Sequence, residues 1–443
     1  MTAVEVEAAL HTSAPSAPRT RLPLRTVAIM LLTVSAATRL LWTSLSANGL
    51  NLVDLRVYVD GSAALADNQL YEFSTSFGSP DFALPFTYPP FAALLFYPLH
   101  HLPFTVVGLA WQVATIGAMY LVVRISFELI DSALDDTAKG DKRPDRRNAT
   151  MIWCAVALWT EPVRTTLECG QVNVFIVAAV LAAARSARWW ISGALVGLVA
   201  GVKLTPAISG LYFLLRRRPA TVGWSAVAFA ATIGLSFALI GNQSRDYFTN
   251  LIGDATRIGP VGSVANQSLR GALSRLAGYD VGTGPAWLVG VSVAVVLAVL
   301  AWRALAASDA LGALLVVQFL GLVVSPISWA HHWVWVTPLL IWLSYGPLRH
   351  RRGARALVWY WFAATALGVP WASTLVQPSV WDISRPGVLA WLGAVNVIGV
   401  AALFVWLGAT RWSGVLSLRR FGRSPEPALH PVPLARPRNA STV

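Results

Sequence analysis

One aspartate lies where a carboxylate can serve as a catalytic base. Asp54 follows the first apolar run of the chain, from Val27 to about Leu45, and apolar residues flank it in the segment GLNLVDLRVYVDG. A carboxylate withdrawn from water has a raised pKa unless it is paired, which suits a proton acceptor near neutral pH. Asp54 is therefore the candidate general base. The alternative is a structural role, in which Asp54 caps a short helix or pairs with Arg56.

A single lysine interrupts the apolar part of the chain. Lys203 lies in the segment GVKLTP, at residues 201–206, between two hydrophobic runs. An ammonium group at membrane depth is costly and usually faces a polar cavity or an anion, and phosphate is the obvious anion. The alternative is that Lys203 extends its ammonium group to the headgroups at the membrane boundary.

A short polar segment between two hydrophobic runs carries hydrogen-bonding groups of both kinds. Residues 161–173 read EPVRTTLECGQVN. Sugar hydroxyls both donate and accept hydrogen bonds, so a mixture of carboxylates and amides suits them. The alternative is a Glu–Arg pair that merely closes the loop. The candidates for binding the acceptor or a sugar are Glu168, Gln171 and Asn173 in this segment, Arg56 and Tyr58 beside Asp54, and Trp333 farther along the chain.

Two further motifs contain groups that can bind a phosphate or a sugar. The segment NQSLR contains Asn266, Gln267 and Arg270, and the segment SPISWAHHW contains His331 and His332. Adjacent histidines diverge on a helix and no carboxylate is spaced to join them, so no metal site is predicted. All five residues are candidates for binding the donor phosphate or sugar, and either histidine can fill this role. The neighbouring tryptophans stack on a sugar or anchor the chain at the membrane boundary.

The composition indicates that these motifs lie in a membrane protein. Hydrophobic residues make up 56% of the 443 residues and charged residues only 12%, against roughly a quarter in an ordinary soluble domain. The net charge of +13 comes from arginines in short clusters between apolar runs, which is typical of topology signals and not of a nucleic-acid-binding face. Cys154 and Cys169 have the spacing of neither a disulfide framework nor a zinc site. The sequence contains no GxGxxG or Walker loop, which disfavours a cytosolic enzyme that uses nucleotides.

Apolar runs along the chain are candidate membrane-spanning helices, about 12 in number. Several are shorter than the ~20 residues of a straight span, so we expect these helices to be broken or partly buried in a bundle. The predicted fold class is an all-α polytopic membrane protein. The runs cover residues 27–46, 105–129, 150–162, 172–186, 189–203, 206–215, 223–241, 285–305, 310–328, 331–346, 355–372 and 386–409.

The arginine clusters predict an orientation for these runs. With the N-terminal arginines inside the cell, alternation also places the clusters at 142–147, 216–218 and 349–355 inside, as the positive-inside rule requires. Residues 1–26 and 411–443 are then cytoplasmic tails, and the second tail is basic and predicted to be disordered. Segment 88–103 contains four prolines and must then dip into the membrane without crossing it. The alternative is that it crosses, which would change the predicted orientation around residues 130–150. The candidate residues lie on the outer side, beginning with the catalytic loop and re-entrant segment at 47–104.

Together these motifs resemble those of a known family. The segments NLVDLRVYVDG, LPFTYPPFAALLFYPLHHLPF, CGQVN, GVKLTP, NQSLRG and SPISWAHHW are similar to motifs of the actinobacterial polyprenyl-phosphomannose-dependent α-1,2-mannosyltransferases of the GT87 type. The likeness is greatest to the members that act in phosphatidylinositol mannoside synthesis, and it covers residues 27–410. Each motif alone is weak, whereas the combination is specific.

The resemblance implies a fold and a reaction. The fold is the GT-C glycosyltransferase fold, a transmembrane catalytic domain over residues 27–410 with short juxtamembrane helices in the first outside loop, and Asp54 matches the catalytic aspartate of the family. The donor is polyprenyl-phosphomannose, which enters from the membrane lipids, the acceptor is a phosphatidylinositol mannoside, and no cofactor or metal is expected. Transfer of a β-linked mannosyl phosphate to the 2-OH of a mannose, giving an α linkage, requires inversion and one base. The enzyme would lie in the inner membrane with its active site facing the periplasm.

Two other functions compete with this one. A sister α-1,2-mannosyltransferase that branches lipomannan and lipoarabinomannan uses the same donor, and the sequence separates the two poorly. A lipid transporter or flippase would also contain broken helices and an intramembrane lysine. Against a transporter, the sequence contains no repeated half, and its polar residues concentrate on one side of the membrane. The oligomeric state is not predicted.

Overall fold

The computed structural model describes residues 22–45, 50–76, 83–135, 146–379, 383 and 387–421. Helices dominate this part of the chain, and its two short strands form one antiparallel pair in which Ser74 lies opposite Pro85. The first half contains α1 (Leu24–Leu45), α2 (Val53–Ala63), β1 (Ser74–Thr75), β2 (Leu84–Pro85), α3 (Pro90–Phe96), the 3-10 helix Tyr97–His101, α4 (Phe104–Asp135), α5 (Arg146–Ala157), α6 (Glu161–Cys169), α7 (Asn173–Arg185) and α8 (Trp189–Val202).

The second half continues as a helical bundle interrupted by irregular outer segments. Short helices lie between the longer elements: Thr205–Ile208, Tyr247–Leu251, Ala255–Ile258 and Ala330–Trp335. The longer elements are α9 (Ser209–Leu215), α10 (Pro219–Asp246), α11 (Leu269–Ala277), α12 (Pro285–Ala304), α13 (Ala310–Val324), α14 (Val336–Tyr345), α15 (Ala354–Ala366), α16 (Val369–Thr374), α17 (Val388–Leu392) and α18 (Val395–Phe421).

The helices agree with the apolar runs of the sequence, because each of the predicted runs coincides with a helical segment. Within the described residues, four helical segments are long and apolar enough to cross a membrane: Leu24–Leu45, Phe104–Leu134, Pro219–Leu251 and Pro285–Ala304. Helices α6 and α7 are bent by 120° and can together form a fifth, broken span. The remaining apolar helices are shorter, so the count of about 12 spans stays a prediction.

Burial separates the outer helices from the interior of the bundle. The apolar faces of α1, α10 and α12 are largely exposed, as lipid-facing helices are, whereas α13 and α14 are buried on nearly every side. A helix that is apolar all round is stable either in lipid or in a bundle interior. Helices α1, α10 and α12 therefore form an outer layer and α13 and α14 form the core, although all of them are apolar.

Segment 88–103 forms two short helices, α3 and the 3-10 helix that follows it. Prolines lie in the first turn of each, where their missing N–H groups cost no hydrogen bond. Helix α3 packs against α2, and the ring of Phe96 stacks on that of Tyr58 with centroids 4.9 Å apart. The segment thus supports the helix that carries Asp54, and its re-entry into the membrane stays a prediction.

Helices α8 and α10 pack closely through a line of glycines. Gly193, Gly197 and Gly201 follow one another at four-residue intervals on the face of α8 that meets α10. A β carbon on Gly201 would lie 2.5 Å from the hydroxyl oxygen of Thr232. Small residues at this spacing allow two membrane helices to approach at backbone distance. The contact fixes the end of α8, after which Lys203 follows directly.

The predicted tails lie mostly outside the described residues. Residues 1–21 and 422–443 fall outside them, so the tail predictions at these positions have no structural counterpart here. Helix α18 ends at Phe421, beyond the predicted domain boundary at residue 410.

Candidate active site

A cavity of about 500 Å³ lies among the segments that carry most of the candidate residues. Segments far apart in the chain form its wall. The lining includes Asp54 and Tyr58 of α2, residues 84–89, Thr165, Cys169 and Gln171, residues 203–205, parts of 247–265, and parts of 325–332. The polar groups predicted in the first loop, the 161–173 segment, the lysine break and the histidine motif therefore meet at one place.

Asp54 lies in the first turn of α2 with its carboxylate at the cavity. Its Oδ2 atom accepts a hydrogen bond of 2.7 Å from Nε2 of Gln171, and the thiol of Cys169 also hydrogen-bonds to it. Loss of water raises the pKa of Asp54 to about 6, against the opposing effects of the Gln171 hydrogen bond, the charge of Lys203 and the Cys169 thiol. A base with this pKa is ionised at neutral pH and still able to take a proton.

Gly170 brings Gln171 to Asp54. It ends α6 with φ of 75°, in the left-handed region that glycine adopts without a steric penalty. A β carbon at this position would lie 2.6 Å from Cβ of Leu55 in α2. The absence of a side chain therefore allows α6 to meet α2 closely enough for the next residue, Gln171, to contact the carboxylate.

Two tyrosines fix the orientation of the Gln171 amide. The hydroxyl of Tyr58 donates to Oε1 of Gln171 at 2.8 Å, and the hydroxyl of Tyr88 does so at 3.1 Å. An amide oxygen can only accept, so the amide nitrogen must be the atom that faces Asp54. Gln171 therefore presents an N–H to the carboxylate.

Lys203 contacts the same hydrogen-bonded group of side chains through Tyr88. Its Nζ atom lies 3.1 Å from the hydroxyl oxygen of Tyr88, 3.0 Å from Oδ1 of Asn173 and 3.1 Å from Nε2 of His332. These three acceptors are neutral and match the three N–H groups of the ammonium. The positive charge is thus oriented by the protein without being neutralised by these contacts, and such a charge attracts a phosphate.

The contacts join Lys203 to Asp54 in a single direction of donation. Lys203 donates to Tyr88, Tyr88 and Tyr58 both donate to Oε1 of Gln171, and Gln171 donates to Asp54. Every donor in this chain has one acceptor. Because chained hydrogen bonds polarise one another, the cation and the carboxylate stabilise each other through neutral groups.

Asn173 and the two histidines complete the surroundings of Lys203. Nδ2 of Asn173 donates to the backbone carbonyl of His331 at 3.0 Å, which fixes its Oδ1 toward Lys203. Both imidazoles line the cavity, and His332 is the one that contacts the ammonium. Since Nε2 of His332 accepts from Lys203, its proton is on Nδ1. His332 is therefore the histidine to which the geometry assigns a place beside the cation.

Asn266 and Gln267 are buried next to the cavity and are not among its lining residues. Nδ2 of Asn266 donates to the Val261 carbonyl at 3.1 Å, and its Oδ1 accepts from the backbone N–H of Ser328 at 3.0 Å. Nε2 of Gln267 donates to the Gly393 carbonyl at 2.8 Å. These amides satisfy backbone groups of the outer segments, so they shape the wall without presenting their polar atoms to a ligand.

Arg270 also lies away from the cavity lining. Its guanidinium forms a bidentate ion pair with Asp280, with contacts of 2.9 Å and 2.6 Å. The fork geometry of this pair uses the donors that a phosphate would need. The structure therefore gives Arg270 a local partner at the surface in place of the predicted donor phosphate.

Three of the residues predicted to bind the acceptor are engaged elsewhere. Glu168 lies 3.6 Å from Nη1 of Arg39, Arg56 places its guanidinium over the ring of Phe104 at 3.9 Å, and Trp333 is fully buried in the core. None of the three lines the cavity. Two signals suggested a binding site: a charge near the membrane boundary, and a tryptophan beside the histidines. Structural contacts produce the same signals.

Sequence reasoning did not single out two residues that line the cavity. Tyr88 follows β2 and contacts both Lys203 and Gln171. Arg257 lines the cavity wall, and its Nη2 atom donates to the Tyr71 carbonyl at 2.9 Å. The signal for Tyr88 was available, because it starts the proline-rich segment of the first loop. Among the described residues, no group of three or more His, Cys, Asp or Glu side chains could hold a metal ion.

Comparison with protein families identifies the class of this chain. The model of glycosyltransferase family 87 matches residues 86–326, which is more than half of the chain. This chain belongs to glycosyltransferase family 87. The resemblance seen in the sequence motifs is thereby confirmed, and so is the prediction that the protein is a glycosyltransferase. The family 87 match contains Tyr88, Gln171 and Lys203, whereas Asp54 precedes it.

Curated relatives of this family 87 glycosyltransferase cover nearly its whole length. A protein of Mycolicibacterium smegmatis named polyprenol-phosphate-mannose-dependent alpha-(1-2)-phosphatidylinositol pentamannoside mannosyltransferase is 52% identical over 402 residues, 90% of this chain and 95% of the relative. A Mycobacterium tuberculosis protein of the same name is 48% identical over 404 residues, 91% of this chain and 90% of the relative. Another M. tuberculosis protein, named as a phosphatidylinositol mannoside mannosyltransferase with the same donor, is 33% identical over 393 residues, 85% and 89% of the two chains. No solved structure matches this chain.

Proposed function

We propose that this family 87 glycosyltransferase transfers mannose from polyprenol-phosphate-mannose to the 2-OH of a mannose on a phosphatidylinositol mannoside, forming an α-1,2 linkage. The relatives at 52% and 48% identity carry this donor and linkage in their names, and both names specify the pentamannoside. The relatives at 33% identity name a phosphatidylinositol mannoside without that specification. The higher identity favours the pentamannoside as acceptor.

The observation that carries the proposal is that Asp54 and Lys203 line one cavity. One end of the hydrogen-bonded chain is a carboxylate whose pKa is raised to about 6, and the other end is an ammonium held by neutral acceptors. Glycosyl transfer from a phosphate with inversion needs a base for the acceptor hydroxyl and a cation for the departing phosphate. The cavity offers both groups.

The reaction follows from these two groups. The 2-OH oxygen of the acceptor mannose attacks C1 of the donor mannose while Asp54 removes its proton. The bond from C1 to the phosphate oxygen breaks, and its electron pair leaves with the polyprenyl phosphate, whose charge Lys203 stabilises. Attack and departure take place on opposite faces of the sugar ring, so a β-linked donor gives an α-linked product.

Tyr88, Asn173 and His332 are positioning residues in this mechanism. All three N–H groups of Lys203 are used by them. A phosphate oxygen must therefore replace one of the three acceptors or bind through charge alone. No metal or cofactor is part of the proposal, because a fixed ammonium supplies the positive charge that the leaving phosphate requires. We expect transfer to continue in the presence of EDTA, and loss of transfer that a divalent cation restores would contradict this.

We further propose a GT-C architecture in the inner membrane, with the cavity on the periplasmic side and both termini in the cytoplasm. Helix α9 starts near Lys203 and ends before the cluster 216–218, and α14 starts near His332 and ends before the basic residues at 349–355. The basic clusters therefore lie at the ends of these helices remote from the cavity. The positive-inside rule assigns such clusters to the cytoplasm.

A transfer assay tests the function directly. Purified protein is incubated with polyprenyl-phosphomannose and a panel of phosphatidylinositol mannosides that carry from one to five mannoses, together with lipomannan. We expect a product from the pentamannoside whose new mannose an α-1,2-specific exomannosidase removes. Transfer to lipomannan alone would support the branching enzyme instead, and no transfer to any acceptor would contradict the proposal.

A further inference from the structure

A fully buried arginine lies in α11, outside the lining of the active-site cavity. Arg275 is 1% exposed. Its Nη1 atom donates to the carbonyl of Ser263 and its Nη2 atom to the carbonyl of Gly393, both at 2.6 Å. Its Nε N–H group is buried without an acceptor among the described residues. Burial of a cation against neutral groups is costly, so packing alone does not account for an arginine at this position.

The two carbonyls belong to parts of the chain that are far apart in sequence. Ser263 lines the cavity and lies in residues 261–268, which we call the wall segment. Gly393 lies between α17 and α18. Gln267 of the wall segment makes the same connection, because its Nε2 atom donates to the Gly393 carbonyl at 2.8 Å and its Oε1 atom accepts from the N–H of Asn396 at 3.2 Å. Arg275 and Gln267 therefore attach the wall segment to the beginning of α18.

The wall segment also holds the part of the chain that leads to the histidines. The N–H of Gln267 donates to the Ser328 carbonyl at 2.8 Å, and Oδ1 of Asn266 accepts from the N–H of Ser328 at 3.0 Å. Ser328 lies shortly before His331 and His332, which line the cavity. A displacement of the wall segment would therefore change one side of the cavity.

We propose that Arg275 is a positioning residue that fixes the wall segment for binding of the acceptor's mannoses. The inference rests on the proposed function. The mechanism assigns the base to Asp54 and the donor phosphate to Lys203, and neither residue belongs to the wall segment. The donor carries one mannose, whereas the pentamannoside proposed as acceptor carries five, so the acceptor needs the larger share of the cavity surface. Arg275 acts from behind this surface, through the Ser263 carbonyl.

Three variants of α11 test this role. Arg275→Met removes both hydrogen bonds and keeps much of the side-chain volume, whereas Arg275→Lys keeps the charge and N–H donors. Arg270→Met is the matched control, because Arg270 lies on the same helix and pairs with Asp280 away from the cavity. For each variant, kcat is measured together with KM for the pentamannoside and KM for polyprenyl-phosphomannose.

We expect Arg275→Met to raise KM for the pentamannoside by roughly tenfold, because a displacement of about 1 Å far from the reacting atoms can cost up to ~100-fold. KM for the donor should stay nearly unchanged, since Lys203 is outside the wall segment. Arg275→Lys should give an intermediate rise, and Arg270→Met should match the unchanged enzyme.

A variant of a different helix end reaches the same guanidinium. Gly393 has ordinary helical backbone angles, with φ of −66°, so alanine fits its backbone. A β carbon at Gly393 would lie 2.7 Å from Nε of Arg275. Gly393→Ala should therefore displace the guanidinium without changing the charge of the protein, and we expect the same rise in KM for the pentamannoside. This variant also covers the case in which Arg275→Met does not fold.

Hydrogen exchange measures the wall segment independently of mannose transfer. Backbone amides of residues 261–268 should exchange faster in Arg275→Met and Gly393→Ala than in the unchanged enzyme, and at the same rate in Arg270→Met. Equal rises in the two KM values, or equal exchange in all these proteins, would overturn the role of Arg275. An unchanged enzyme that transfers mannose to no acceptor would contradict the proposed function, whereas the exchange rates would still decide whether Arg275 holds the wall segment.

Discussion

Asp54 and Lys203 carry opposite charges at the two ends of one chain of hydrogen bonds. Two tyrosines and Gln171 lie between them. A direct ion pair would hold the pKa of a carboxylate well below its usual range and weaken it as a base. With neutral groups in between, loss of water dominates, and the pKa of Asp54 is raised. The separation of the two charges therefore leaves Asp54 able to accept a proton near neutral pH.

Replacement of Asp54 by asparagine should remove the base and keep the shape of the site. We expect the rate of transfer to fall by roughly 10² to 10⁴, with donor binding largely retained because Lys203 remains. Transfer rate and donor affinity are measured on the same preparation. Asp60→Asn is the matched control, since Asp60 lies on the same helix and is exposed. Asp54→Asn with a turnover near that of the unchanged enzyme would contradict the mechanism.

The pH dependence of transfer should report on the same carboxylate. Asp54 accepts a proton as the pH falls through its pKa of about 6, so kcat/KM should decline below that pH. The Gln171 hydrogen bond lowers the pKa of Asp54, so Gln171→Met should shift this decline to higher pH. A profile of kcat/KM against pH for both proteins checks the direction of this shift. A decline at the same pH in both would show that Gln171 does not act on the base.

At the level of residues, the sequence predicted which residues gather around Asp54 and Lys203 better than it predicted which residues they contact. Asp54, Lys203, Gln171, Asn173 and His332 were all candidates, because polar groups in apolar sequence are rare and costly. Arg270 and Asn266 met the same criterion, but their partners decide their position. Asp280, Val261 and Pro326 satisfy them locally or across the chain. The spacing of residue types does not show which groups Arg270 and Asn266 contact. It also does not show that Tyr88 lies between Lys203 and Gln171.

At the level of elements, the close contact of α8 and α10 positions the lysine. Gly197 lies in the middle of the contact, facing Ser225 and Ala228 of α10, whereas Gly223 of α10 has open space around it. Alanine at Gly197 should force the helices apart and destabilise the protein by about 1–3 kcal/mol. Gly223→Ala should leave the stability unchanged or raise it slightly, because alanine favours the helix.

Thermal unfolding in detergent, followed together with transfer activity, checks this pair of variants. Gly197→Ala should lower both the midpoint of unfolding and the activity, since Lys203 follows the end of α8. Equal midpoints for Gly197→Ala and Gly223→Ala would show that the glycine line does not hold the two helices together.

The positions of the helices could be predicted because hydropathy depends on local composition, and each apolar run became helical. Their division into lipid-facing and buried helices could not, since α12 and α13 are similarly apolar and differ in their neighbours. The bend between α6 and α7 depends on Gly170, and the sequence alone does not distinguish that glycine from those with open space around them.

At the level of the whole molecule, the proposed orientation makes a labelling prediction. Single cysteines at Asp67 and Asn250, in a protein that lacks Cys154 and Cys169, should react with an impermeant thiol reagent added to intact spheroplasts. A cysteine at Arg217 should react only after lysis. All three side chains are exposed, so reactivity depends on the side of the membrane and not on burial. The reverse pattern would overturn the periplasmic site and, with it, the need for a lipid-linked donor.

The fixed direction of the Gln171 amide also determines how the enzyme returns to its starting state. A chain of hydroxyl groups can conduct a proton by exchanging donors and acceptors, but an amide nitrogen has no lone pair available to accept one. Gln171 therefore breaks any proton wire from Asp54 toward Tyr58 and Lys203. The proton taken from the acceptor must leave Asp54 through the cavity, where the new glycosidic bond lies. Release of the product and reset of the base are thus expected to share one exit, and deprotonation of Asp54 would follow departure of the product in each turnover.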